Sequence, residues 1–103
     1  MTDSEAQQAL ARIVVDWLAG SRSTAEFINQ YWENRRRLLQ SNWSAFTAPF
    51  GAIMSAMDTA ADSYSPKPDW HQIDELNLRE RATAVIEELR QRVPDALAKA
   101  PPS

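Results

Sequence analysis

The chain has 103 residues, 44% of them apolar, two glycines, six prolines and a formal net charge of −3. A length of this order holds one helical core and not two, and the lack of cysteine excludes disulfides and thiolate metal sites. So mild a charge argues neither for nor against nucleic acid; its distribution over the surface decides.

Abundant Ala, Leu, Glu, Gln and Arg favour helix over sheet. We therefore expect an all-α fold, an antiparallel four-helix bundle forming a single domain over residues 1–93, with a flexible Ala/Pro-rich tail over 94–103. The opening MTDSEAQQ lacks the basic flank and apolar run of a signal peptide, and no apolar stretch reaches membrane-spanning length. The expectation is a cytoplasmic protein with no membrane contact.

The first helix is read from Ser4 to Ala19. Leu10, Ile13, Val14, Trp17 and Leu18 recur there at three- and four-residue steps, and Gly20 supplies a left-handed stop. A second helix opens on Ser23-Thr24-Ala25-Glu26, a capping-box pattern in which the serine accepts from the Glu26 amide while the glutamate reaches back. It runs to about Gln40 with Phe27, Ile28, Tyr31, Trp32, Leu38 and Leu39 on its apolar face, where Arg35 also falls. The third segment, Trp43 to about Ala61, carries Phe46, Phe50, Ile53, Met54 and Met57. Pro49 removes a backbone donor within it, so either the helix kinks there or a short turn precedes a helix that starts near Pro49. From Asp62 to Gln72, two prolines one residue apart impose a semi-rigid connection. Asp74 caps a fourth helix with Leu78, Ala82, Val85, Ile86 and Leu89 inward, and Pro94 blocks its continuation. The loops on either side of the second helix are short, which favours antiparallel neighbours.

No catalytic constellation is legible. The single histidine, His71, lies in the Pro-rich connection, no serine sits in a nucleophile motif, and no Glu-x-x-His ligand spacing occurs. Gly20 and Gly51 are too far apart for a phosphate-cradling loop. We expect neither an enzyme nor a cofactor or metal. The run Arg35-Arg36-Arg37 fans over about 200° of a helix and cannot form one phosphate-tracking stripe. It reads instead as a partly buried Arg35 paired with a carboxylate and two solvated neighbours, without direct nucleic-acid contact.

The acidic residues are more informative. Asp58, Asp62, Asp69, Asp74 and Glu75 stand against Lys67 alone between 58 and 75, a local balance of −4. Asp58 and Asp62, four apart at a helix C-terminus, repel each other and meet the unfavourable end of the macrodipole, so stability does not ask for them. Asp74 and Glu75 have ordinary work at the start of the last helix. Tyr64 and Trp70 are aromatics of the kind that anchor interfaces, although either can equally fold back as a lid on the core. An acidic patch flanked by such aromatics suits a basic protein partner.

The order of landmarks also resembles a known family. TAEFINQYWENRRRL, then F-x-x-I-M-x-x-M-D-x-x-x-D-x-Y, then IDE-x-x-LR, from about Leu18 to Leu89, are similar to the colicin D type immunity proteins, found beside colicins, pyocins and contact-dependent inhibition toxins. The resemblance implies a small bundle that binds a toxin's ribonuclease domain and covers its basic active-site cleft with acids standing in for tRNA phosphates. Matched onto this chain, the toxin-binding residues are Asp58, Asp62, Tyr64, Asp74 and Glu75. Asp69 and Trp70 are added from the charge reading alone. Pro66-Lys67-Pro68 and the tail have no counterpart in the pattern. The leading expectation is thus an inhibitor of a cognate nuclease toxin, monomeric before it meets the toxin. The alternative is a non-catalytic helical adaptor or regulator, pairing through its tryptophans as a homodimer.

Overall fold

The structure, a computed structural model, describes residues 1–98. It is all-helical, with α1 over Asp3–Leu18, α2 over Thr24–Ser41, α3 over Phe50–Ser63 and α4 over Glu75–Arg92. Short 3-10 turns, Trp43–Phe46 and Pro94–Leu97, follow α2 and α4.

Each helix end has a local cause. Thr2 and Glu5 form a complete capping box at the start of α1, with Glu5 N donating to Thr2 Oγ1 at 3.1 Å and Thr2 N to Glu5 Oε1 at 2.9 Å. The helix therefore opens before Ser4. Gly20, at φ +90°, closes it as a Schellman motif: Gly20 N donates to Trp17 O and Ser21 N to Asp16 O. At α2 only half of the expected box is made, Ser23 Oγ accepting from Glu26 N at 3.2 Å. Asp74 caps α4 by accepting from Asn77 N at 2.8 Å.

The third segment resolves in favour of a turn followed by a new helix. Trp43–Phe46 forms the 3-10 turn, the Ala48–Pro49 peptide is cis, and α3 starts at Phe50. Gly51 permits this junction, because a Cβ there would overlap the Phe46 carbonyl.

Contacts at the helix ends fix an antiparallel, up-down-up-down order. At one pole the end of α1 meets the starts of α2 and α4: Trp17 stacks on Phe27 with ring centroids 4.1 Å apart, and Arg79 lies over the Trp17 indole at 4.7 Å. At the other pole Gln7 near the start of α1 donates to Ala45 O, and Gln8 to Asp95 O. The core comprises Leu10, Val14 and Trp17 of α1, Phe27, Tyr31 and Leu38 of α2, Phe50, Ile53, Met54 and Met57 of α3, and Leu78, Val85, Ile86 and Leu89 of α4. Leu39, expected inward, is 38% exposed, at the edge of its helix's apolar face.

The tail boundary also moves. Pro94–Leu97 packs on α1 and α4 with Ala96 buried, so the bundle extends beyond residue 93. Of the expected tail, residues 99–103 lie outside the described residues. No helix among the described residues is long and apolar enough to cross a membrane.

Candidate functional site

The acidic segment gathers at the pole where α3 ends and α4 begins. A loop joins them, closed at its base by a parallel bridge between Tyr64 and Ile73: Ser65 N donates to Ile73 O at 3.1 Å and Ile73 N to Ser63 O at 3.0 Å. Inside the loop Asp69 N donates to Gln72 Oε1, Gln72 N to Asp69 O, and Trp70 N to Asp69 Oδ1. The two prolines restrict the chain further, so Trp70 is presented on a shaped tip. Its indole is 93% exposed and meets only the edge of the His71 ring, centroids 5.1 Å apart. Trp70 therefore does not fold back as a lid on the core.

The predicted residues then divide by what they touch. Asp62 and Asp69 are exposed and make no ion pair within the described residues. Asp74 is exposed too, with one oxygen held by the cap. Tyr64 is half-buried at the base of the loop; burial first and the nearby Glu75 carboxylate second raise its phenol above the ordinary range.

Asp58 and Glu75 carry structural work. Asp58 Oδ1 accepts from Tyr31 Oη at 2.6 Å and from Arg35 Nε at 2.8 Å, a partly buried bridge between α3 and α2. Arg35 also lies 5.7 Å from the Phe46 ring centroid. The arginine thus has the carboxylate partner expected of it. The inference that stability does not ask for Asp58 is corrected: the repulsion from Asp62 is outweighed by two charge-assisted bonds across the bundle. Glu75 Oε1 accepts from the buried Thr24 hydroxyl, which itself accepts from Trp17 Nε1 at 3.1 Å, while Arg79 Nε stands 3.8 Å from Glu75 Oε2. This chain of bonds ties α4 to α1 and α2.

One residue of the surface escaped sequence reasoning. Leu76, in the first turn of α4, is 67% exposed beside Asp74 and Glu75. Its signal was available, since it falls off the Leu78–Ala82–Val85 face. No protein-family model, curated protein or solved structure matches this chain.

A concavity of about 380 Å³ between α1, α4 and the last 3-10 turn is lined by Arg12, Val15, Ile86 and Leu97 and contains none of the predicted site residues. Among the described residues no cluster of His, Cys, Asp or Glu has the arrangement of a metal site. What remains at the α3–α4 pole is two exposed apolar side chains, Trp70 and Leu76, with Asp62 and Asp69, which make no ion pair among the described residues.

Proposed function

We propose that this chain is an immunity protein of the colicin D type, acting without catalysis of its own in the cytoplasm of a toxin-bearing cell. It binds a cognate nuclease toxin and covers the basic active-site cleft, where an RNA phosphate backbone would otherwise lie. The observation that carries this reading is the exposure of Trp70 on a braced loop beside the unpaired Asp62 and Asp69. An indole left almost wholly in water, near acids that make no ion pair among the described residues, suits burial against a basic partner. The sequence resemblance points independently to the same class of partner.

The contact set narrows accordingly. Asp62, Asp69, Trp70 and Asp74, with Leu76, form the contact surface; Asp58 and Glu75 hold the helices that present it. The test is co-expression with a panel of colicin D type and contact-dependent toxin nuclease domains, read as growth. Rescue from one member is expected, with loss on D62K/D69K and on W70A, while circular dichroism shows an intact helical fold. Absence of rescue across the panel, or rescue indifferent to these substitutions, overturns the reading.

A further inference from the structure

A second surface, opposite in charge, lies on the outer face of α2. Trp32, Arg36 and Leu39 follow at i, i+4 and i+7, so they share one stripe. Together with Arg35 they line a recess of about 280 Å³. Trp43, on the turn just past the helix, is 70% exposed. Arg35 is neutralised by Asp58, but among the described residues Arg36 pairs with no carboxylate, and Arg37 reaches only the amide oxygen of Asn34. The stripe is therefore apolar and aromatic with a net positive rim. Trp32 packs partly against the core, and Arg36 and Leu39 are exposed beside it.

We infer that this stripe is a docking site for the acidic Trp70 loop of a second copy of the chain. The charge match is intrinsic to the molecule: the loop presents Asp62 and Asp69, which make no ion pair among the described residues, and the stripe presents Arg36 and Arg37, which have no carboxylate partner there. The shape match is of the same kind, since an indole exposed over 93% of its surface meets an open recess walled by another indole, a leucine and an arginine. Arg36 over the incoming ring adds a cation–π contact. The two surfaces cannot meet within one chain. The loop lies at the pole where α2 begins, whereas the stripe runs toward the pole where α2 ends, in a molecule 42 Å long and 25 Å across. The resulting contact is head-to-tail, so each pair keeps one free loop and one free stripe, and association grows with concentration. This departs from the monomer expected from the sequence. It stands apart from the toxin proposal, although both use the loop, so self-association and toxin binding compete.

Two charge-swapped variants test it. R36E/R37E breaks the stripe and leaves the loop intact; D62K/D69K does the reverse. All four side chains are exposed, so both variants should remain helical. Sedimentation of the wild-type chain in low salt should give a mass rising above 11.6 kDa with concentration and falling back at high salt as the charges are screened. Each variant alone should associate at least about tenfold more weakly. Mixed in equal amounts the two variants should associate again, since the acidic loop of the first meets the basic stripe of the second and the reversed loop of the second meets the reversed stripe of the first; W70A in both variants should abolish this. A wild-type chain that stays monomeric in low salt overturns the inference, as does a mixture that does not associate. No toxin enters the experiment, so failure here leaves the toxin reading to its own test.

Discussion

The Asp58 carboxylate shows how one side chain can be misread when only its neighbours in sequence are considered. Its local company is Asp62 and a helix C-terminus, both unfavourable, yet its partners Tyr31 and Arg35 come from another helix, 27 and 23 residues away. Removing either partner should be costly, because the remaining group is about three-quarters or more shielded from water. Arg35→Ala should cost about 1–3 kcal/mol in urea unfolding, and Asp58→Ala more, since it strands a guanidinium and a phenol together. Asp58→Asn keeps an acceptor for Tyr31 and should recover part of the loss; equal costs for Ala and Asn would show that the acceptor contributes nothing. The same site sets an alkaline limit. Burial first, then the bond to Asp58 and its charge, push the Tyr31 phenol above its ordinary value. A folded-state pKa raised in this direction gives stability that is complete below about pH 10 and is lost as the pH rises above it toward the folded value. Tyrosinate absorbance should therefore lag behind that of a free phenol and appear together with helix loss. Both tyrosines titrating near pH 10 with the helices intact would contradict the burial of Tyr31.

At the scale of the element, the boundaries follow from backbone chemistry, and the sharpest case is the entry to α3. The chain leaves the Trp43–Phe46 turn and re-enters a helix with residue 51 pressed against the Phe46 carbonyl, so only hydrogen fits at Cα. Gly51→Ala, normally favourable inside a helix, should here destabilise by about 1–3 kcal/mol, because backbone must move; a gain in melting temperature would show that the junction yields freely. Where a signal is local, the sequence is a good guide: Gly20 as stop, Asp74 as cap and the inward faces of α1 and α4 all follow from residue type and period. Pro49 is different, since a kink and a fresh start remove the same donor and only tertiary packing distinguishes them. Pro94–Leu97 reads as tail by composition, and the burial of Ala96 depends on α1, which no local pattern reveals. The acidic site was legible as a segment and not as a set. Charge counting picks out the segment, whereas separating Asp62 and Asp69 from Asp58 and Glu75 requires knowing which helices face each other.

For the whole molecule, the consequence is a division between acids that hold the bundle and acids that face outward, and it leads to a kinetic prediction. Long-range charge acts on encounter, whereas a desolvated aromatic acts on residence. On the proposed immunity function, binding to a nuclease domain should accordingly be fast at low ionic strength and slow as the Debye length contracts to about 8 Å at physiological salt. D62K/D69K should lower the association rate at least about tenfold and flatten that salt dependence, with the unfolding midpoint almost unchanged, because neither acid has an internal ion-pair partner. W70A should leave the association rate nearly intact and speed dissociation, since the indole contributes only once water has been expelled around it. Arg35→Ala should do the opposite of both: a lower unfolding midpoint, and unaltered rates wherever the protein is folded. Stopped-flow mixing across a salt series, with thermal melts of the same samples, separates these cases. If the loop and Arg35 substitutions moved rates and stability together, the acids of this pole would not be divided between scaffold and contact surface.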